Sequence, residues 1–276
     1  MYDTLIDSKV LYVHLEDPSW CLIDCRASLI DAAAGAASYS AGHLPGAVFA
    51  DLATDLSGPL IPGVTGRHPL PDPRALAETF GRWGIDERTQ VVAYDAGNGA
   101  YAARAWWLLR WLGHAAAAVL NGGLAAWQAA GYPLRSDVET RHATTFPIRT
   151  ALTRVVSVED VIERRGSMDL VDARAEARFR GEVEPIDPVA GHIPGARCVP
   201  FEGNLDLDGR FATPEALRRR FEVHLRAARE LVCYCGSGVT ACHNILAMRH
   251  AGLPEATLYA GSFSEWIRDP ARPVER

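Results

Sequence analysis

The chain has 276 residues, of which 48% are hydrophobic, and a formal net charge of −6 at pH 7. This is enough apolar material for one large domain or two of ordinary size, and it excludes disorder as the main state. The charges are scattered without a polybasic run, so neither a nucleic acid nor a membrane is indicated as a partner.

The N-terminal sequence lacks the pattern of an export signal. Residues 1–20 show no positive flank followed by a long apolar run, and no later segment reaches a membrane-spanning length free of charges. We therefore expect a soluble protein located in the cytoplasm, with reduced thiols. The spacing of the six cysteines favours neither a disulfide framework nor a closed metal site, and no metal is expected. These cysteines are Cys21, Cys25, Cys198, Cys233, Cys235 and Cys242.

An internal repeat organises the predicted elements. In the first half, "LIDCR" at 22–26 precedes "AGHLPGAV" at 41–48, and "VVAYDAGNGAYAARAWWLLRWLG" then reads as a strand, a loop and a helix. The same order returns as "LVDAR" at 170–174, "AGHIPGAR" at 190–197 and "LVCYCGSGVTACHNILAMRHAG". Each half closes with a glycine-containing turn and a tryptophan-bearing helix, "NGGLAAW" and "AGSFSEW". The chain therefore contains two copies of one unit.

Short apolar strands that alternate with helical patterns predict a mostly parallel sheet flanked by helices. Because the pattern occurs twice, the expected fold class is α/β with two tandem domains. The segment "RSDVETRHATTFPIRT" at 135–150 lacks an apolar period and separates the halves. We predict a first domain over 1–135, a linker over 136–152 and a second domain over 153–276.

The repeated Gly-His-Leu/Ile-Pro-Gly element is expected to be structural. Its residues are typical of a tight turn that leads into the next strand, and its histidine would satisfy nearby backbone groups. A motif that occurs in both halves cannot by itself mark a single active site.

Aligning the two halves on the strand, loop and helix isolates one cysteine. Asp95 of "YDAGNGA" falls on Cys235 of "YCGSGVT", so only the second half has a nucleophile at this point. Cysteine is often buried for packing alone. However, Cys235 ends a strand, small residues follow it, and a helix is predicted to start near Val239 or Thr240. Loop N–H groups and the helix dipole then favour a thiolate, so we interpret Cys235 as the reactive residue and the first half as catalytically silent.

The repeated elements and the Cys235 loop together resemble those of one protein family. The second half resembles a rhodanese domain, and the whole chain resembles the tandem-domain sulfurtransferases that act on 3-mercaptopyruvate or thiosulfate. The resemblance covers nearly all of the sequence and is carried by both "GH[LI]PGA" elements, "DARAEARFRGEVEP", "CGSGVTAC" and "GSFSEW". It implies that Cys235 takes up sulfur as a persulfide and passes it to a thiol acceptor such as thioredoxin, or to cyanide. It implies no cofactor.

The resemblance also implies roles for other side chains. Arg178 in "ARFRG" matches a substrate-binding arginine, which could hold a carboxylate in a bidentate pair. Ser237 matches a serine that handles protons, and His68 in "GRHPLP" stands near the place of its histidine partner. The alternative for Arg178 and His68 is an ordinary surface position. The N–H groups expected to stabilise the sulfur anion belong to Gly236, Gly238, Val239 and Thr240.

The loop residues bear on the choice of sulfur donor. A loop of the type Cys-Gly-Ser-Gly-Val-Thr resembles enzymes that use mercaptopyruvate, whereas thiosulfate enzymes tend to have basic residues directly after the cysteine. We therefore expect mercaptopyruvate as the donor and pyruvate as the product, with thiosulfate and sulfite as the alternative. Ile186 and Asp187 stand where mercaptopyruvate enzymes commonly have a second arginine, so weak binding of mercaptopyruvate is expected.

Other functions fit less well. A cysteine phosphatase needs an arginine six residues after its cysteine to clamp phosphate, and position 241 is Ala241. A noncatalytic binding module would have no need of an intact loop around Cys235. A cysteine protease would need a triad, and no such spacing is evident.

Overall fold

The computed structural model describes residues 1–226 and 229–276, and these contain two five-stranded sheets. In the first sheet the strands are β1 (Leu5–Ile6), β2 (Trp20–Asp24), β3 (Ala47–Phe49), β4 (Gln90–Tyr94) and β5 (Ala117–Leu120). Their spatial order is β1-β5-β4-β2-β3, with every neighbouring pair parallel. The accompanying helices are α1 (Ser8–Val13), α2 (Ala34–Ala41), α3 (Pro73–Arg82), α4 (Ala102–Trp111) and α5 (Gly123–Ala129).

The second sheet has the same connectivity. Its strands are β6 (Val155–Val156), β7 (Met168–Asp172), β8 (Arg197–Cys198), β9 (Glu230–Tyr234) and β10 (Thr257–Tyr259), in the parallel order β6-β10-β9-β7-β8. The helices are α6 (Val158–Arg164), α7 (Glu176–Phe179), α8 (Pro214–Glu222), α9 (Thr240–His250) and α10 (Ser262–Trp266), with 3₁₀ turns at Arg165–Ser167 and Phe201–Asn204. The repeated strand order confirms the predicted α/β class and the duplication.

The central strands are buried on both faces. Strand β4 is buried along its whole length, and β9 is buried from its second residue onward. Helices that cover both faces of a parallel sheet produce such continuous apolar runs, so the alternating pattern of a half-exposed strand is missing here. Because β9 lies between β10 and β7, the residue that follows it emerges at the middle of the sheet edge.

By their contacts the described residues form two compact units. The first contains Met1–Gly58, Pro71–Leu152 and Leu207–Phe211, and the second contains Pro59–Leu70, Thr153–Asp206 and Ala212–Arg276. The limits predicted from sequence, 1–135, 136–152 and 153–276, did not anticipate the two short segments that pack with the other half. Both depend on contacts between residues far apart in the chain, such as the N–H of Phe211 that donates to Asn121 Oδ1 at 2.9 Å.

The repeated histidine element is structural in both units. Nδ1 of His43 lies 2.9 Å from the carbonyl oxygen of Tyr39, and Nδ1 of His192 lies 2.8 Å from that of Phe179. A carbonyl oxygen can only accept, so each ring donates from Nδ1. Each histidine therefore ties its turn to the preceding helix, as expected from its presence in both halves.

The repeated Asp-x-Arg sequence supports the same turns. Arg26 forms a buried pair with Asp24 and donates to the carbonyl oxygen of Gly42 at 2.7 Å. In the second unit Arg174 pairs with Asp172 and donates to the carbonyl oxygen of Gly191, also at 2.7 Å. These arginines are thus part of the scaffold.

Within the part of the chain that the structure describes, no helix is both long enough and apolar enough to cross a membrane. The same residues contain no cluster of His, Cys, Asp and Glu suited to a metal ion. All six cysteines lie among them and are free thiols.

Candidate active site

Cys235 directly follows β9, at the mouth of the loop that leads into α9. The residue is only 2% exposed. Its own N–H donates to Ser262 Oγ at 3.1 Å, and its Sγ accepts from the N–H of Gly238 at 3.1 Å. The sulfur therefore faces into the loop and is held there by the backbone.

The loop needs glycine for its shape. Gly238 has φ of 76°, a conformation that L side chains rarely adopt, and a Cβ at this position would collide with the carbonyl oxygen of Ala260. Val239 follows as the N-cap of α9, and Thr240 is the first residue of that helix. The N-terminal end of an 11-residue helix thus lies next to the Cys235 loop, where its dipole favours an anion.

Four other cysteines lie where burial disfavours the thiolate. Burial raises the pKa of Cys21 to about 12 and that of the half-buried Cys198 to about 11. Burial also raises the pKa of Cys25 and of Cys233, which lies within β9. Since the thiolate is the nucleophile, these four thiols are poorly suited to sulfur chemistry near neutral pH.

Ser237 and His68 meet at the loop. Nδ1 of His68 lies 2.8 Å from Oγ of Ser237, which is itself buried. His68 belongs to Pro59–Leu70, a segment that packs with the second unit although it precedes most of that unit by a long stretch of chain. The contact joins a titratable ring to a hydroxyl group two residues beyond Cys235, and a proton can pass along such a hydrogen bond.

Arg178 lies beside the same loop on the short helix α7. Its Nε and Nη2 donate to the two carboxylate oxygens of Glu184 at 3.2 and 2.7 Å, and Nη2 also donates to Asp187 Oδ2 at 3.1 Å. A Cβ atom on Gly236 would be 3.6 Å from Nη1 of Arg178. The guanidinium is therefore held by two acidic residues while one of its ends faces the loop.

Arg67, which is not among the site residues predicted from the sequence, is a further cation at the loop. Its Nη1 donates to Asp187 Oδ1. Its Nη2 would be 2.7 Å from a Cβ atom on Gly236, closer than any atom of Arg178. The signal available in the sequence was its position next to His68 in "GRHPLP".

The pKa values of the two carboxylates that hold Arg178 are shifted in opposite directions. Burial raises the pKa of Asp187, against the opposing effect of Arg67 and Arg178. Burial acts in the same sense on Glu184, but the hydrogen bonds from Arg178 and from the N–H of Asp187 outweigh it, so the pKa of Glu184 is lowered. Glu184 is therefore a firmly ionised anchor for Arg178.

The corresponding loop of the first unit already contains an anionic side chain. The carboxylate of Asp95 accepts four backbone N–H groups at 2.9 to 3.3 Å. These belong to Gly97, Gly99, Tyr101 and Ala102. Burial raises the pKa of Asp95, and these hydrogen bonds act in the opposite sense. The loop between a central strand and the next helix is thus built to bind an anion.

The two loops differ in length by one residue. The glycine with positive φ is Gly99 in the first unit, four residues after Asp95, and Gly238 in the second, three residues after Cys235. In both loops this glycine donates its N–H to the key side chain, at 3.0 Å to Asp95 and 3.1 Å to Cys235. The two glycines are therefore equivalent.

Comparison with known proteins relates the whole chain to one family. The model of the family described as "Rhodanese-like domain" matches residues 7–130 and 157–269. Over 276 residues the chain is 52% identical to a Pseudomonas aeruginosa protein named "Probable 3-mercaptopyruvate sulfurtransferase", covering 98% of this chain and 97% of that protein. Over 239 residues it is 36% identical to the thiosulfate sulfurtransferase of Cricetulus griseus, covering 83% of this chain and 78% of that protein. The crystal structure of Escherichia coli SseA, described among 3-mercaptopyruvate sulfotransferases, superposes with a TM-score of 0.82 at 33% identity, covering 96% of this chain and 100% of that chain.

Proposed function

Since the chain belongs to the rhodanese family and is a sulfurtransferase, we propose that it moves a sulfane sulfur from 3-mercaptopyruvate through a persulfide on Cys235. The observation that carries this proposal is the position of the Cys235 sulfur, 3.1 Å from the N–H of Gly238 and beside the N-terminus of α9. A thiolate is stabilised by such a site, and a thiolate is required for attack on sulfur.

The first step forms one bond and breaks one bond. The thiolate of Cys235 attacks the sulfur of mercaptopyruvate, a disulfide-type S–S bond forms, and the C–S bond breaks with its electron pair passing to carbon. The products are a persulfide and the enolate of pyruvate. Transfer of the original thiol proton to the enolate carbon gives pyruvate and leaves the outer sulfur as an anion.

The outer sulfur would be stabilised by N–H groups at the start of α9. In the first unit the carboxylate oxygens of Asp95 stand two bonds from Cβ, as does the outer sulfur of a cysteine persulfide. They accept the N–H groups of Tyr101 and Ala102, the second and third residues after the equivalent glycine. The same count from Gly238 leads to Thr240 and Ala241. Preorganised donors of this kind need no rearrangement when charge develops.

Ser237 and His68 would carry the proton. Transfer to a carbon requires a donor that can be recharged, and the 2.8 Å contact lets the imidazole exchange a proton with the hydroxyl group. Arg178 would hold the carboxylate end of the donor, since its Nη1 end faces Gly236. Ser237 and His68 would thus act at the carbon that loses sulfur, and Arg178 would act at the carboxylate end of mercaptopyruvate.

Thiosulfate is the alternative donor, with sulfite as the leaving group. A dianion would gain from cations directly after Cys235, where this loop has Gly236 and Ser237 instead. The side chains of the loop itself are neutral, and the two cations beside it, Arg67 and Arg178, are already paired with Asp187 and Glu184. We therefore propose the monoanionic mercaptopyruvate as the preferred donor. In the second half-reaction a thiol such as thioredoxin, or cyanide, attacks the outer sulfur and regenerates the thiolate. These acceptors, like a cytoplasmic location, stay predictions.

The donor preference is tested by measuring both reactions on one preparation. Pyruvate release from mercaptopyruvate and sulfite release from thiosulfate should be followed with the same acceptor over a range of donor concentrations. We expect the higher kcat/KM with mercaptopyruvate. A higher value with thiosulfate would replace the proposed donor by the alternative one.

A further inference from the structure

A second guanidinium at the loop has no role in the mechanism above. Arg67 and Arg178 come from segments far apart in the chain, yet both have an Nη atom within 3.6 Å of the position that a Cβ on Gly236 would occupy. In the sequence, Ile186 and Asp187 stand where a second arginine is common, which predicts weak binding of the carboxylate. The structure places a second arginine at the loop from a different direction.

Asp187 connects the two arginines. Arg67 donates to its Oδ1 and Arg178 to its Oδ2, so one carboxylate fixes the separation of both guanidinium groups. The side chain of Asp187 is only 2% exposed, whereas those of Arg67 and Arg178 are 22% and 17% exposed. The acidic residue thus lies beneath the arginines, and the arginines retain access to solvent and to small molecules.

Arg67 has donor groups beyond its pair with Asp187. Nη1 is used for that pair, while Nη2 is the atom that faces Gly236. Within residues 1–226 and 229–276, the buried Nε of Arg67 has no hydrogen-bond acceptor. A guanidinium with N–H groups to spare beside the loop that follows Cys235 is suited to an anionic ligand.

The backbone around Arg67 is held in place. Its N–H donates to Ser264 Oγ at 3.0 Å, and a Cβ on the preceding Gly66 would lie only 2.5 Å from the carbonyl oxygen of Gly261. The absence of a side chain at Gly236 leaves room for the guanidinium. The backbone at Arg67 is therefore fixed by a hydrogen bond and by the close approach of Gly66 to Gly261, and its guanidinium is held by Asp187.

We propose that Arg67 is a second binding residue for the carboxylate of the sulfur donor, acting with Arg178, and that Asp187 is the positioning residue for both. This inference rests on the proposed function, because it assigns the anionic end of the donor for that reaction. If Arg67 takes the place of the arginine that is missing at Ile186, mercaptopyruvate should bind more tightly than the sequence alone predicts. The competing interpretation is that Arg67 serves only to attach Pro59–Leu70 to its unit.

Alkylation of Cys235 tests the inference without any sulfur donor. Iodoacetate carries a carboxylate and iodoacetamide does not, while both react with the same thiolate. The ratio of the two rates at Cys235, followed by peptide mass spectrometry, therefore reports carboxylate binding, and a change in thiolate reactivity cancels. In Arg67→Gln we expect this ratio to fall about fivefold or more, because a charge-assisted hydrogen bond is lost.

Arg268→Gln is the matched control. Arg268 donates to the carbonyl oxygen of Thr65 at 3.2 Å, so this variant also removes one positive charge and one contact to the same segment. Its alkylation ratio should equal that of the wild type. Equal ratios in Arg67→Gln and Arg268→Gln would overturn the inference. If Arg67→Gln fails to fold, Gly236→Ala gives the same test, because its Cβ would displace Arg67 without a change of charge.

Steady-state kinetics separates this inference from the proposed function. With mercaptopyruvate, Arg67→Gln should raise KM about tenfold and change kcat less, as expected for a group that binds donor and transition state alike. A wild-type protein that releases no pyruvate would contradict the proposed function, whatever the alkylation ratios are. An active wild type with an unchanged KM in Arg67→Gln would contradict only the role of Arg67.

Discussion

Oγ of Ser237 lies 2.8 Å from Nδ1 of His68, across 169 positions of the chain. Ser237 stands two residues after Cys235, so its hydroxyl group connects His68 to the loop that follows Cys235. The two candidate sulfur donors, mercaptopyruvate and thiosulfate, differ in whether the leaving group needs a proton. The enolate that leaves from mercaptopyruvate must take up a proton, whereas sulfite can leave as an anion.

Ser237→Ala is therefore expected to affect the two donors unequally. Loss of general acid catalysis should lower kcat for pyruvate release by about a hundredfold, while kcat for sulfite release should fall by less than about threefold. His68→Gln should show the same pattern. An equal loss with both donors would mean that Ser237 supports the loop and does not transfer a proton.

Arg178→Lys tests the planar contact at the carboxylate end of the donor. An ammonium group cannot reproduce the hydrogen bonds that Arg178 makes with Glu184 and Asp187, nor a two-point contact with a carboxylate. We expect kcat/KM for mercaptopyruvate to fall by about tenfold or more, which corresponds to about 1.4 kcal/mol.

Arg180→Lys is the control for this substitution. Arg180 lies two residues further along, is half-exposed and pairs with Glu176 and Glu182. Its replacement should leave the kinetics unchanged. If Arg178→Lys behaves like Arg180→Lys, the role of Arg178 in binding the carboxylate is wrong.

Asp95→Cys asks whether the anion-binding loop is sufficient for persulfide formation. We expect no persulfide at position 95. Arg178 directly precedes Phe179, the residue whose carbonyl oxygen contacts the repeated histidine. In the first unit Tyr39 makes that contact, and the residue before it is Ser38. No guanidinium is thus expected at that place to hold a donor. Mass spectrometry of the variant after incubation with mercaptopyruvate is the measurement, and stoichiometric sulfur at position 95 would show that the loop alone suffices.

Glu184 should make stability depend on pH in the acidic range. Its folded-state pKa is lowered from the ordinary value of 4.5, so it contributes stability above pH 4.5 that is lost as pH falls through the folded pKa. The melting temperature of Glu184→Gln should accordingly lie below that of the wild type at neutral pH, and the gap should narrow below pH 4.5. The exposed Glu222→Gln serves as control. A gap that stays constant down to strongly acidic pH would refute the assignment.

The repeat made the fold predictable. Two copies of "GH[LI]PGA" and two copies of the strand, loop and helix pattern are local features, and the structure shows one sheet with the same strand order for each copy. Comparison of the copies also isolated Cys235, because Asp95 occupies its place in the other loop. The insertion of one residue in the Asp95 loop cannot be recognised from the sequence, since both loops consist of small residues and only the backbone shows which glycine has positive φ.

The surroundings of Cys235 could be predicted only in part. Arg178, Ser237 and His68 were selected through a family resemblance. The pairing of Arg67 with Asp187 was not, because 120 positions separate them and no local pattern relates their side chains. Asp187 was interpreted as a departure that weakens binding, whereas it holds two cations at the loop. Interactions between segments that are distant in the chain can be identified only when the structure is known.

The most direct test of the central claim is the location of the transferred sulfur. Wild-type protein should be incubated with an equimolar amount of mercaptopyruvate without acceptor, and its peptides should then be examined by mass spectrometry under non-reducing conditions, with Cys235→Ser treated in parallel. We expect the mass of one additional sulfur atom on the Cys235 peptide of the wild type, its loss upon addition of cyanide, and no gain on any peptide of the variant. Sulfur on another cysteine, or pyruvate release by Cys235→Ser at a rate near that of the wild type, would contradict the account.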